Sequence, residues 1–293
     1  MGVPTMSAST PLATGGAPAG WPPVRIMSVL ILALMVVQAV CGLWIPGVYR
    51  DPPEVVAMLR GYDIVTLAVV VPALALSVLP PWRGTRGARL VWLSVPAYGV
   101  YNYAFYVFAT AFNTLFLVHV AVFALCVLTL AVGLSTVDAA GIAARFHPRT
   151  PVRVVGTVLI VLAASLAGTW VVNAVRFAVT GALPHESYLV APITVTHLGY
   201  VLDLALFAPA CALAGVLLWR RRPWGYVLGA VVLLFGTVYQ LCYLAALAFQ
   251  SWMRVPGARS DPADPFILAM LALSTVLLLA GLRTHAIRRK TLR

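Results

Sequence analysis

The chain has 293 residues, 62% of them hydrophobic and 10% charged, with a mean hydropathy of +0.96 and a formal net charge of +12. Soluble domains are about a quarter charged, so this composition excludes one, and apolar runs long enough to cross roughly 30 Å of hydrocarbon as helices recur instead. The positive charge does not mark a nucleic-acid binder: the basic residues stand in short blocks between apolar runs, the pattern of membrane topology signals, rather than on one folded face.

In chain order, residues 1–24 are rich in Ala, Gly, Pro, Ser and Thr and read as a disordered cytoplasmic tail. The apolar run at 26–45 is too long for a signal-peptide core and reads as an uncleaved first span. Seven more spans are predicted at 63–79, 90–112, 114–134, 154–177, 197–219, 225–249 and 265–282. The expected fold is therefore all-α, a polytopic integral membrane protein of eight transmembrane helices. Placing both termini in the cytoplasm puts fifteen of the twenty Lys and Arg inside, including Arg25, Arg83, Arg86, Arg89, Arg220, Arg221 and Arg222. That bias orients the chain in a plasma membrane. The acidic residues Asp51, Glu54, Asp63, Glu186, Asp261 and Asp264 fall on the other side. No loop is large enough for a soluble catalytic domain.

A shift of 137 positions lays the second half on the first: Pro72 meets Pro209, Trp82 meets Trp219, Arg83 meets Arg220, Gly99 meets Gly236 and Tyr106 meets Tyr243, with 12 identities in the 42 positions from 72 to 113. Asn113 meets Gln250. Four crossings restore the chain to its starting side, so the expected domains are two parallel four-helix repeats, 25–134 and 154–282. A cytoplasmic linker joins them at 135–153 and a basic tail follows at 283–293. Sites in such proteins form between the repeats.

The polar residues inside the spans are the candidate site. On span 3, Tyr98, Asn102, Tyr106 and Asn113 fall within about 80° at helical periodicity, beside an aromatic stripe of Tyr101, Phe105, Phe108 and Phe112. Span 5 offers Asn173 and Arg176, span 6 His197, Tyr200 and Asp203, and span 7 Tyr239, Gln240 and Tyr243. Gln38, Asp63 and His119 complete the set, with Glu186 in a loop read as a lid. These groups share the outer level of the bilayer, and one outward-facing cavity accounts for them together. Helix–helix hydrogen bonds and an interfacial aromatic belt are the alternative. Asp203, about six residues into span 6, is the clearest ionisable residue at depth, and Arg176 is its expected partner, with Glu186 or Asp63 as competitors and with a functional role and a locking ion pair both open.

Cys41, Cys126, Cys211 and Cys242 lie far apart within the spans and read as packing residues, with a Cys41–Cys242 bridge as the alternative. His119 and His197 on facing helices are a conceivable haem pair, but no histidine or cysteine spacing supports a metal or haem, so no cofactor is predicted. No phosphate-binding loop, nucleophile elbow or dinucleotide fingerprint occurs.

The segments GYDIVTLAVVVPAL and YNYAFYVFATAFN resemble, over spans 2 to 4, a group of bacterial multi-span membrane proteins of uncharacterised function. The resemblance implies neither ligand nor activity. Three functions are carried forward. One is a small permease or carrier for an amphipathic or apolar ligand. The second is a membrane-embedded enzyme acting on a lipid or isoprenoid from the outer leaflet. The third is a non-catalytic or immunity-type subunit, partnered by a second copy or another membrane protein.

Overall fold

The computed structural model describes residues 22–79, 85–183, 188–260 and 262–282. The N-terminal tail as far as residue 21, the C-terminal tail at 283–293 and the loop positions 184–187, including Glu186, lie outside the described residues.

The elements are α1 (Pro22–Trp44), α2 (Pro53–Val65), α3 (Val71–Val78), α4 (Arg86–Phe108), α5 (Phe116–Ser135), the short α6 (Ala139–Ala143), α7 (Val152–Thr180), α8 (Ile193–Leu202), α9 (Ala208–Trp219), α10 (Pro223–Trp252) and α11 (Asp264–Leu279). A π-helical turn, Thr66–Val70, joins α2 to α3 without a break, and a second, Asp203–Phe207, joins α8 to α9. Thr66 and Asp203 are 137 positions apart, as are Arg86 and Pro223, the first residues of α4 and α10. Apart from a single bridge between Phe146 and Leu282, the described residues hold no extended pairing.

Among the described residues, six helices are long and apolar enough to cross a membrane: Val24–Trp44, Pro53–Val78, Phe116–Ser135, Val152–Thr180, Ile193–Trp219 and Pro223–Trp252. That makes the chain compatible with a multi-pass membrane protein. The expected third and eighth spans are helical too, but α4 is not apolar enough and α11 has only 16 residues. For α4 the reason lies in its surroundings. Tyr98, Tyr101, Tyr103 and Tyr106 on it are each at most 2% exposed, so protein rather than lipid covers this helix on most sides, and its surface can carry hydroxyls.

Close backbone crossings hold the bundle together. A Cβ on Gly61 would lie 2.6 Å from the Cα of Ala246, which brings α2 against α10. Gly156 and Gly215 face each other across α7 and α9: a Cβ on Gly156 would lie 2.8 Å from the carbonyl oxygen of Gly215, and one on Gly215 2.7 Å from that of Gly156. Small residues at such crossings let helices approach where lipid gives no hydrophobic push. α10 lies centrally, in contact with α2, α4, α6, α9 and α11.

The two ends of the bundle differ. At the end rich in arginine, the segment after α5 folds back over the helices. Arg89 donates to the Thr136 carbonyl at 2.8 Å, the His147 amide to the Gly281 carbonyl at 2.8 Å, and Arg221 to the Pro148 carbonyl at 3.2 Å. At the other end, the Ala111 amide donates to Asp51 Oδ1 at 2.7 Å, tying the α1–α2 loop to the α4–α5 loop. Asn113 lies in that second loop, where its Oδ1 accepts from the Leu115 amide at 2.9 Å. This side-chain turn starts α5; α4 has already ended at Phe108, so Asn113 does not continue its polar face.

Gly215→Leu is expected to separate α7 from α9 and destabilise the protein by about 1–3 kcal/mol or more, seen as a lower melting temperature in detergent. Gly168→Leu on the same α7, where an added side chain meets open space, should melt within a degree or two of the parent.

Candidate functional site

The membrane-depth polar groups form two assemblies rather than one chamber. The first surrounds Asp63. Gln38 Nε2 donates to its Oδ1 at 2.6 Å, the Tyr106 hydroxyl to the same oxygen at 2.7 Å, and the Tyr49 hydroxyl to Oδ2 at 2.7 Å. Gln38 is itself oriented by Tyr103, which donates to Oε1 at 2.7 Å. Gln38, Asp63 and Tyr103 are fully buried. Gly42 leaves room for the cluster, since any Cβ there would collide with the Asp63 carboxylate and the Tyr49 hydroxyl. His119 packs against Tyr106, with ring centroids 4.9 Å apart, and lies parallel to Tyr49 at 6.5 Å. Among the described residues neither of its nitrogens, nor the amide of the fully buried Asn102, has a hydrogen-bond partner.

The second assembly surrounds Asp203 and is hollow. Tyr101 on α4 donates to Asp203 Oδ1 at 2.6 Å, and the Trp170 indole on α7 donates to Oδ2 at 2.9 Å. Trp170 stacks on Tyr200 at 4.0 Å between centroids, and Asn173 Nδ2 donates to the Tyr200 hydroxyl at 3.1 Å. Asp203, Trp170 and Tyr200 border a cavity of about 520 Å³ between α7, α8, α10 and α11, with Met58, Tyr62 and Phe105 reaching it from α2 and α4. Its wall runs from Gly236 and Leu271 to the loop residues Leu189 and Ala191. Ser165 and Thr169 on its α7 side are exposed, so the cavity reaches the surface there. Gln240 Nε2 donates to Asp264 Oδ1 at 2.9 Å, and both residues line the space. Gln250 fastens the loop above by accepting from the Val190 amide at 3.0 Å and donating to the Val190 and Glu54 carbonyls at 2.7 and 3.0 Å.

Of the candidates named from sequence, Asp203, Tyr239, Gln240 and Tyr243 line this cavity. Asp63 and Tyr106 belong to the sealed cluster, while Tyr98 bonds Thr66 Oγ1 at 2.9 Å and contacts Cys242 Sγ at 3.4 Å. His119 and Asn102 are buried outside the cavity wall. His197 is exposed, one residue round α8 from the cavity-lining Thr196. Arg176 lies on an exposed stretch of α7, and the hydrogen bonds to Asp203 come from Tyr101 and Trp170, not from Arg176. Two uncharged donors replace the expected cation. All four cysteines are free thiols, so there is no Cys41–Cys242 bridge.

Sequence reasoning passed over Trp170 and Asp264 as site residues. Trp170 reads as one more apolar position on its span, and Asp264 as one of the acids on the outer side. The spacing of Thr196, Tyr200, Asp203 and Phe207 at three and four residues was the available signal. No family model matches the chain, and no curated protein or solved structure shows significant similarity to it.

Tyr106→Phe removes a direct donor to a buried carboxylate and is expected to destabilise the protein by about 1–3 kcal/mol. Tyr103→Phe, whose hydroxyl reaches Asp63 only through Gln38, should cost less. Denaturation of both variants in the same detergent tests the order.

Proposed function

We propose that the chain is an eight-span plasma-membrane protein, both termini cytoplasmic, built from two parallel four-helix repeats, and that it is a small permease or carrier for an amphipathic or apolar ligand. The cavity beside Asp203 carries this reading. Its volume of about 520 Å³ lies in the range of small-molecule sites, and its wall is mostly apolar and aromatic with a few placed polar groups. An arriving ligand would meet Ser165 and Thr169 first, since these lining residues are the exposed ones on α7.

The two-repeat arrangement is supported by the equal spacing of the π turns and of the α4 and α10 starts, neither of which follows from shared composition. It makes the cavity a junction: α2 and α4 of the first repeat supply Met58, Tyr62 and Phe105, and the second repeat supplies the rest. Charge orients the bundle so that the arginine-rich end, covered by the segment after α5, faces the cytosol.

A second reading, an enzyme acting on a lipid or isoprenoid from the outer leaflet, is favoured by one observation. The cavity wall extends no further toward the arginine-rich end than about Gly236, midway along α10, and it carries two carboxylates, Asp203 and Asp264.

Single added cysteines in a Cys41→Ser background, whose three remaining cysteines are buried, separate the two. Thr169→Cys is expected to react with a membrane-impermeant maleimide added to intact cells, and Tyr103→Cys to remain unlabelled. A carrier also exposes Leu271→Cys, near the inner end, to reagent added to inside-out vesicles; an enzyme open only outward does not. Labelling of Thr169→Cys from the cytoplasmic side alone would overturn the topology.

A further inference from the structure

We propose that the ligand of this cavity is an organic cation, an amine or quaternary ammonium carrying an apolar tail, with its charge held beside Asp203. The proposal deepens, and rests on, the reading of the cavity as a ligand site.

The charge of the wall is opposite to that of the protein. The chain as a whole carries +12, yet the described lining residues include two aspartates and no lysine, arginine or histidine. Asp203 makes no ion pair among the described residues; both of its oxygens accept hydrogen bonds, from Tyr101 and Trp170. Those two donors fix the plane of the carboxylate without supplying a countercharge. An ionisable group at membrane depth is costly and normally has a partner or faces water. A bound cation would supply that partner.

The rest of the wall fits the same charge. Seven aromatic side chains line the space, Tyr62, Phe105, Trp170, Tyr200, Phe207, Tyr239 and Tyr243. The faces of such rings attract ammonium groups, most strongly where water is excluded. Trp170 is both the donor to Asp203 and the stacking partner of Tyr200, so carboxylate and aromatic faces lie side by side. An anionic headgroup would find no described cation on this wall. Asp264 begins α11, where an acid also suits the helix dipole, so Asp203, in the π turn within the α8–α9 span, carries more of the weight.

The test is equilibrium dialysis of the full chain in nanodiscs of zwitterionic lipid, with labelled hexyltrimethylammonium, its uncharged tert-butyl isostere and hexyl sulfate as probes. Saturable binding of the cation at least tenfold tighter than the isostere is expected, with no saturable binding of the sulfate. Asp203→Asn should weaken the cation tenfold or more and leave the isostere unchanged; Asp264→Asn should weaken it less. A melting curve of each variant without ligand shows whether it is folded, and if Asp203→Asn is not, the three-probe ranking on the parent decides alone. Equal or tighter binding of the isostere or the sulfate overturns the cation assignment while leaving the ligand site standing. Saturable binding of none of the three overturns both.

Discussion

A buried carboxylate with no cation bonded to it must be surrounded by other hydrogen-bond donors, and the rest of this bundle is arranged around meeting that requirement at Asp63. Its donors come from three places in the chain: Gln38 on α1, Tyr49 in the loop after it, and Tyr106 on α4. The acid itself sits on α2, and His119 on α5 closes the cluster by ring packing. One small acidic group thus ties three helices together directly, and a fourth through the rings of its donors. Charge-assisted bonds of this kind are about twice as strong as neutral ones, and in a nonpolar surrounding the alternative of leaving them unmade is worse still.

Asp203 is the counter-example within the same molecule. It too lies at membrane depth and is held by two uncharged donors, but beyond it is space rather than protein. The boundary between the two environments runs between neighbouring residues. Tyr62 faces the cavity and Asp63 the sealed cluster, as adjacent side chains on a helix point about 100° apart. Tyr101 and Tyr106 divide in the same way along α4, one donating to Asp203 and the other to Asp63. Any movement of α4 relative to α2 or α8 would therefore be felt in both places.

Hydropathy was enough to locate every long helix, because water-averse runs of that length have few other fates. It also singled out α4, whose tyrosines and Asn102 contradict an ordinary lipid-facing span. What it did not give was which polar group meets which. Depth along a helix and angle around it can be read from one chain. The partner across the gap depends on how helices are rotated against each other, and that is set by contacts such as Gly61 on Ala246 or Gly156 on Gly215. His197 shows the consequence: it shares a helical span with Asp203 but points outward. Arg176 was assigned to Asp203 by charge, whereas an indole and a phenol, both counted as hydrophobic in any composition, hold the acid instead.

The two π turns carry a consequence of another kind. Each widens the helix by one residue and rotates everything beyond it, so the outer and inner stretches of the same span present differently phased surfaces. Such a turn is also a place where chain length can change cheaply, because removing one residue relaxes it to ordinary helix instead of breaking the span. The surplus residue is thus an adjustable joint, through which evolution could re-aim Asp203 toward a differently shaped occupant without redesigning the helices around it.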